Sequence, residues 1–226
     1  MLRVKVHCSI PENMPRSKLK HFAEMKTWSH VLEPERGGPT LPYIWEQPLM
    51  VELGCGQGAY TVGLGTYFPQ AMVVGVDIKG SRMWHGAKQA HEQNLNKVRF
   101  LRTRVEDLAH YFPPASISDL WITFPDPHLR EGKAKKRLTS PRFLSLYKDL
   151  LAPTGCLHLK TDCAPLFEYS LETLAQEGWH IEEVLRDVHG NIKNPALLRE
   201  VRTAYENKYL KQGKAIFYLK AFPNLL

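Results

Sequence analysis

Short apolar runs alternate with patterns of helical spacing from about residue 48 onward. The apolar runs predict seven strands, at residues 50–53, 71–77, 98–103, 120–124, 155–161, 180–185 and 215–221. Apolar positions three and four residues apart predict helices between them, at residues 59–67, 81–94, 143–151 and from Pro165 to Gly178. The pattern therefore predicts strands and helices that alternate along the chain.

This alternation is typical of a mostly parallel sheet with helices on both faces. Because no repeat or long linker divides them, residues 48–226 are expected to form one doubly wound α/β domain. Ligands of such domains bind beyond the carboxyl ends of the strands. The segments that follow the strands are therefore where functional residues are expected.

Residues 1–47 differ from the rest of the chain. Prolines and glycines split them into short pieces, and only residues 18–28 fit a helix. Arg16, Lys18, Lys20 and Lys26 make this segment basic. We expect a partly flexible basic extension, and the sequence leaves open whether it orders on an anionic partner or stays a solvated tail.

The segment from Val51 to Gly58 contains the end of the first of the seven strands and the loop after it, which carries three glycines. Gly54, Gly56 and Gly58 leave the backbone without Cβ atoms where a ligand could lie against it. A tight turn without a ligand would show the same glycines, but a strand before and a helix after favour a binding loop.

The spacing of this loop does not by itself identify the ligand. With Ala59 it satisfies the G-x-G-x-x-A pattern of dinucleotide-binding loops, and Asp77 ends the next strand where a ribose-binding acid belongs. NAD therefore stays open. Glu52, two residues before the first glycine, and the third glycine at Gly58 favour S-adenosylmethionine, since this string resembles motif I of the class I methyltransferases.

A second informative segment, residues 123–138, follows the fourth strand. Pro125 and Pro127 fix the backbone around Asp126, so a carboxylate is held on a stiff loop beside the glycine loop. Such placement is useful for orienting a reactant, although a Pro-Asp-Pro turn can also bond only to local backbone. Behind this loop a basic run has a density of cations suited to phosphate contacts: Arg130, Lys133, Lys135, Lys136, Arg137 and Arg142.

Four ordered motifs together resemble the bacterial tRNA (guanine-N7)-methyltransferase family. They lie at residues 51–58, 124–138, 160–162 (Lys-Thr-Asp) and 203–206 (Thr-Ala-Tyr-Glu), and the resemblance covers about residues 48–221. It implies a Rossmann-like class I methyltransferase fold with a mostly parallel seven-stranded sheet and S-adenosylmethionine as the cofactor. It also implies methyl transfer to N7 of a guanosine in tRNA, typically at position 46 in the variable loop.

The resemblance also implies a role for individual residues. Asp126 would be the acid of the catalytic site. The cofactor-binding residues would be Glu52, Gly54, Gly56, Gly58, Asp77, Val105 and Glu106. The residues that bind the tRNA substrate would be Arg130, Asp162, Thr203, Tyr205 and Glu206.

Three positions depart from the family pattern. His128 stands where Trp is usual, which changes one wall of its loop. Arg130 replaces the usual Lys and turns a point donor into a planar fork. Arg104 stands where the family has an acid beside the adenine ring, a place that Glu106 or Asp107 could fill instead.

Composition narrows the class of protein. Thirty Lys and Arg against 23 Asp and Glu give a net charge of +7, which favours polyanionic partners such as tRNA. No apolar run approaches a membrane span and the first residues are too charged for a signal peptide, so a cytoplasmic location is expected. The four cysteines show no C-x-x-C spacing and no obvious ligand pair with the ten histidines, so no metal site is expected.

Three alternative functions stay open at the level of sequence. The first is another class I methyltransferase that acts on a different RNA or on protein. The second is an NAD-dependent oxidoreductase, which gives the basic run no role. The third is a non-catalytic RNA-binding module, if Arg104 reflects a lost cofactor site. The sequence also leaves the choice between monomer and homodimer undecided.

Overall fold

The computed structural model describes residues 16–34 and 45–224. Within these residues eight strands form one sheet: β1 (Val31–Leu32), β2 (Leu49–Leu53), β3 (Met72–Asp77), β4 (Val98–Arg102), β5 (Ile117–Thr123), β6 (Leu151–Thr161), β7 (Trp179–Leu185) and β8 (Phe217–Pro223). The α-helices are α1 (Arg16–Met25), α2 (Ala59–Tyr67), α3 (Gly80–Glu92), α4 (Pro141–Leu150), α5 (Ala164–Gln176), α6 (Ala196–Glu200) and α7 (Ala204–Lys211). Two 3₁₀ helices span Val105–His110 and Glu131–Lys136.

The strand order is β1-β4-β3-β2-β5-β6-β8-β7. Neighbouring strands run parallel except at β8, which is antiparallel to both β6 and β7. The order reverses at the central pair, because the chain runs from β2 to one edge through β3 and β4 and then returns to β5 on the other side of β2. The crevice at the carboxyl ends of β2 and β5 is the position where such sheets bind ligands.

Helices cover both faces of the sheet, as predicted, and each face has its own buried core. On one face α4 and α5 contribute Phe143, Leu144, Tyr147, Phe167 and Leu174. On the other face α2 and α3 contribute Tyr60, Val62, Leu64, Met83 and Ala87. Because β2 is buried along its whole length, its apolar run does not alternate with polar residues, and its single acid, Glu52, is buried as well.

The seven predicted strands are all present, but the sheet has an eighth strand that the sequence did not predict. Val31 and Leu32 of β1 pair in parallel with Phe100 and Leu101 of β4 at the edge of the sheet. A strand of two residues is too short to show an alternating pattern. The predicted seven-stranded sheet is therefore corrected to eight strands.

The helix predicted in the N-terminal extension is confirmed as α1, and it packs against α3. Met25 is fully buried. The His21 ring stacks on Trp84 with 3.9 Å between ring centroids, and Trp84 Nε1 donates to the Glu24 carboxylate at 2.7 Å. Residues 16–34 are thus attached to the domain, while the remainder of the predicted flexible extension lies largely outside the described residues. In the described ranges no helix combines the length and apolar character needed to cross a membrane.

Candidate active site

A cleft of about 840 Å³ opens at the carboxyl ends of the central strands. Its walls are the segments that follow β2, β3, β4, β5 and β6, together with the start of α7. The volume lies within the range of small-molecule sites, about 300–1,000 Å³. The cleft therefore coincides with the reversal of strand order between β2 and β5.

The glycine loop forms one end of this cleft. Gly54 and Gly56 line it with φ of 69° and 55°, and a Cβ atom on Gly54 would meet no other atom within 4 Å. Gly58 does not line the cleft, because a Cβ atom there would lie 2.6 Å from the Phe100 ring and 3.0 Å from Gly86 Cα. Gly58 therefore allows α2 to approach β4 and α3, and its contact with a ligand stays a prediction.

Asp77 fixes the shape of the glycine loop. Its Oδ2 accepts a hydrogen bond from the Gly56 backbone N–H at 2.9 Å, and its Oδ1 accepts one from the Lys79 N–H at 2.7 Å. Each carboxylate oxygen can accept a further bond, so Asp77 can still take hydroxyl donors from a ligand in the cleft that it lines. The acid predicted at the end of β3 thus lines the cleft.

Glu52 lies behind the glycine loop and not in the cleft. Its side chain is buried and accepts hydrogen bonds from the Thr61 hydroxyl and, at 2.5 Å, from the Thr123 hydroxyl. Burial raises the pKa of Glu52 to about 7, against the effect of these two hydrogen bonds. Glu52 therefore connects α2 to β5 beneath the loop, and its contact with the cofactor stays a prediction.

The loop after β5 carries Asp126 into the cleft. Asp126 is exposed and lines the cleft between Pro125 and Pro127. Phe124 and His128 on either side have positive φ angles of 47° and 43°, a conformation that side chains other than glycine rarely adopt. Such backbone strain is concentrated at functional sites, where the surrounding structure must hold it in place.

The opposite wall brings together three of the residues predicted to bind substrate. Asp162 follows β6 and accepts from Lys214 Nζ at 3.0 Å. Thr203 caps α7, since its hydroxyl accepts from the Glu206 N–H at 3.0 Å. Tyr205 is 54% exposed, and all three predicted residues line the cleft. Lys214 also lines it and was not predicted, because it lies 52 residues from Asp162 in the sequence.

Glu206, the fourth predicted residue of this wall, does not line the cleft. Its side chain is fully buried, and its carboxylate contacts Lys160 Nζ at 2.8 Å and His189 Nε2 at 2.8 Å. Lys160 is equally buried and also donates to the carbonyls of Leu198 and Val201. The Lys160–Glu206 pair therefore anchors the α6–α7 connection that presents Thr203, and the contact between Glu206 and guanosine stays a prediction.

The 3₁₀ helix Val105–His110, which follows β4, forms part of the cleft wall on the same side as the glycine loop. Val105 and Glu106, predicted to bind the cofactor, line the cleft, and so does Arg104. Glu106 Oε1 also accepts from Arg142 Nη2 at 2.9 Å, with both side chains about half exposed. Glu106 is therefore the acid of this segment that faces the cleft, whereas Asp107 does not line it.

Some cations of the basic run are exposed to solvent, and others are bound to groups of the protein. Arg130, Lys133 and Lys135 are exposed outside the cleft, and Lys136 lines it. Arg137 is only partly exposed and donates to backbone carbonyls of the Asp126 loop. Arg130, predicted to bind substrate, is exposed and does not line the cleft.

A separate polar cluster lies away from the cleft. Alternation along β6 places Cys156 and His158 on one face, with Cys156 Sγ 3.1 Å and Asp119 Oδ1 3.0 Å from His158 Nε2. His158 Nδ1 lies 2.9 Å from the Tyr218 hydroxyl, and burial lowers the pKa of His158. The sequence shows no obvious pair of cysteine and histidine ligands, but the fold brings Asp119, Cys156 and His158 together, and they hydrogen-bond to one another.

Comparison with known proteins identifies relatives along almost the whole chain. Residues 46–219 match the model of a family described as "Putative methyltransferase". The chain is 38% identical to a tRNA (guanine-N(7)-)-methyltransferase of Christiangramia forsetii, over 91% of this chain and 97% of that protein. It is 39% identical to the protein of the same name from Porphyromonas gingivalis, over 86% of this chain and 85% of that protein.

Solved structures share the fold at low sequence identity. The 16S rRNA methyltransferase KamB gives a TM-score of 0.58 at 15% identity, over 78% of this chain and 87% of that chain. The 16S rRNA (adenine(1408)-N(1))-methyltransferase of Catenulisporales acidiphilia, crystallised with its cosubstrate SAM, gives a TM-score of 0.54 at 16% identity. The match covers 80% of this chain and 88% of that chain. The predicted class I methyltransferase fold is thereby confirmed, and the family match shows that this chain belongs to the tRNA (guanine-N7)-methyltransferase family.

Proposed function

We propose that this protein transfers the methyl group of S-adenosylmethionine to N7 of a guanosine in tRNA. One observation carries the proposal. A single cleft joins the open glycine loop and Asp77 on one side to Asp126, Asp162 and Thr203 on the other. A cofactor and a nucleoside could therefore meet in it, and the relatives that match most of the chain are named for this reaction.

The residues around the glycine loop fit S-adenosylmethionine. Gly54 and Gly56 present backbone to open space, and Asp77 retains acceptor capacity for ribose hydroxyls. Val105 and Glu106 would close the adenine end. When bound, the cofactor supplies a methyl group that is already activated by its sulfonium.

Asp126 is suited to orient the guanine. The N1 and N2 edge of guanine carries hydrogen-bond donors, and an ionised carboxylate can accept two of them. Because N7 has an unprotonated lone pair, no general base is needed to create the nucleophile. Alignment of the reacting atoms can contribute about 7–11 kcal/mol, and the Asp126 charge would also offset the positive charge that develops on the ring.

The opposite wall and the basic run would hold the tRNA. Asp162 and Thr203 offer oxygen acceptors beside the guanosine position, and the exposed Tyr205 ring offers a face for base stacking. Arg130 and the exposed lysines of the basic run would contact phosphates, which supplies affinity without sequence selectivity.

Two of the alternatives that the sequence left open gain no support. Relatives over most of the chain are named as methyltransferases, which disfavours an NAD-dependent oxidoreductase. The open glycine loop and Asp77 are intact despite Arg104, so nothing in the cleft favours a non-catalytic module.

The test is to identify the methylated product. The protein is incubated with S-adenosylmethionine labelled in its methyl group and with unmodified tRNA, and the tRNA is digested to nucleosides. We expect the label in 7-methylguanosine. Label in another nucleoside would indicate a different RNA methyltransferase, and a thermal shift with NAD but not with S-adenosylmethionine would indicate an oxidoreductase.

A further inference from the structure

Arg137, the last cation of the segment that follows Asp126, is bound to the protein itself. Its Nε and Nη2 donate to the His128 carbonyl at 3.3 and 3.2 Å, and Nη2 also reaches the Leu129 carbonyl at 3.4 Å. The guanidinium carbon lies 4.1 Å from the centre of the Tyr169 ring on α5. All of these contacts use the planar, forked shape of the guanidinium.

The carbonyls that Arg137 contacts belong to the loop that carries Asp126. At its start, the Phe124 N–H donates to the Lys160 carbonyl at 2.8 Å. At its other end stands His128, whose φ of 43° requires support from its surroundings. Arg137 bonds to the carbonyl of this same residue and so holds the end of the loop that β6 does not.

We propose that Arg137 is a positioning residue that holds the Asp126 loop in its reactive orientation and is not a contact to tRNA phosphate. This inference rests on the proposed function, because it requires Asp126 to orient the guanine. A lysine would keep the charge but could not bond two successive carbonyls while stacking on Tyr169. A displacement of about 1 Å in a positioned group can cost about 100-fold in rate.

The experiment measures 7-methylguanosine formation by Arg137→Lys and Arg137→Gln. We expect kcat to fall about 10- to 100-fold in both variants, because neither keeps the fork. The KM for tRNA should stay within about threefold of wild type. The dependence of tRNA binding on salt should not change either, since Arg137 does not bind a phosphate.

Lys133→Gln is the matched control for charge. It removes one positive charge from an exposed side chain of the same segment. We expect it to raise the KM for tRNA and to reduce the slope of log K against log salt by about one, with little change in kcat. The two variants that neutralise a cation should thus affect different kinetic constants.

Tyr169 provides a test that leaves every charge in place. Tyr169→Phe keeps the ring under Arg137 and should retain kcat, whereas Tyr169→Leu removes it and should lower kcat in the same direction as Arg137→Lys. Thermal melting of each variant shows whether it folds. This pair keeps the inference testable if the Arg137 variants do not fold.

Two results would overturn the inference. One is wild-type kcat in Arg137→Lys or in Tyr169→Leu. The other is a rise in KM and a loss of salt dependence in Arg137→Gln that match those of Lys133→Gln. If the wild-type protein forms no 7-methylguanosine at all, the proposed function fails instead, so the two failures are distinguishable.

Discussion

Burial divides the carboxylates around the cleft into two groups. Glu52 and Glu206 are almost fully buried, and hydroxyl or ammonium donors already occupy their oxygens. Asp77, Asp126 and Asp162 line the cleft and can accept further hydrogen bonds. The first group therefore holds the walls of the site together, and the second group faces the reactants.

The buried position of Glu52 predicts a pH dependence of stability. Its pKa is raised from 4.5 to about 7, so between these values the folded protein keeps a proton that the unfolded chain releases. The protonated Glu52 side chain therefore stabilises the folded protein. This contribution to the free energy of unfolding is fully present below pH 4.5 and is lost as the pH rises to about 7. The isosteric variant Glu52→Gln has no titrating group at this position, so its stability should not decrease in this way as the pH rises.

Urea unfolding of both proteins at pH 5 and pH 8 measures the effect. Other titrating groups cancel when the variant is compared with the wild type. We expect the wild type to lose on the order of 2–3 kcal/mol more than Glu52→Gln across this interval. Parallel changes in the two proteins would show that Glu52 does not titrate in this way.

At the scale of residues, the sequence predicts which side chains lie near the cleft better than it predicts which of them are exposed in it. Asp77 and Asp126 could be predicted because Asp77 ends β3 and Asp126 follows β5, and the carboxyl ends of parallel strands meet at one edge of the sheet. The roles of Glu52 and Glu206 depend on partners that lie 71 and 46 residues away, at Thr123 and Lys160. No local pattern identifies such partners.

At the scale of elements, periodic segments were predictable and short ones were not. The seven longer strands and the helices α2, α3, α4 and α5 give clear apolar patterns, and all are present. The two-residue β1, the five-residue α6 and the 3₁₀ helix Val105–His110 are too short to show a period. One of these three elements, the 3₁₀ helix, lines the cleft with Val105 and Glu106, so the shape of this wall could not be predicted from the sequence.

Two glycines of the loop between β2 and α2 form a matched pair for a test of packing. Gly54 and Gly58 both have positive φ, but only Gly58 is packed against Phe100 and Gly86. Replacement by alanine strains the backbone at both positions, and at Gly58 it adds a steric clash. Gly58→Ala should therefore be less stable than Gly54→Ala by about 1–3 kcal/mol.

Denaturant unfolding compares the two stabilities, and calorimetry compares their binding of S-adenosylmethionine. Because Gly54 faces the cleft, Gly54→Ala should lose cofactor affinity while it keeps more of its stability. Equal losses of stability in the two variants would contradict the packing role of Gly58.

At the scale of the whole molecule, the cleft and the positive charge lie together. The net charge of +7 raises the rate of encounter with a polyanion, and the exposed cations next to the Asp126 loop concentrate it at the cleft mouth. The sequence predicted this basic run beside the site. It could not predict that Arg137 is directed inward, because the carbonyls and the ring that bind it are fixed by the fold.

The double variant Lys133→Gln/Lys135→Gln tests this distribution of charge. We expect the slope of log K against log salt for tRNA binding to fall by about two, because each lysine would neutralise one phosphate. Lys88→Gln/Lys97→Gln removes the same charge from α3 and from the residue before β4, away from the cleft, and should leave the slope unchanged. An equal change in the two double variants would show that net charge alone determines binding.

The central claim is that Asp126 orients the guanine for methyl transfer within this cleft. Its most direct test is the single-turnover rate of 7-methylguanosine formation by Asp126→Asn, measured with saturating tRNA and S-adenosylmethionine. We expect the rate to fall about 100-fold or more while the dissociation constants of both ligands stay within about threefold of wild type. A rate near that of wild type, or a loss of tRNA affinity as large as the loss of rate, would contradict the claim.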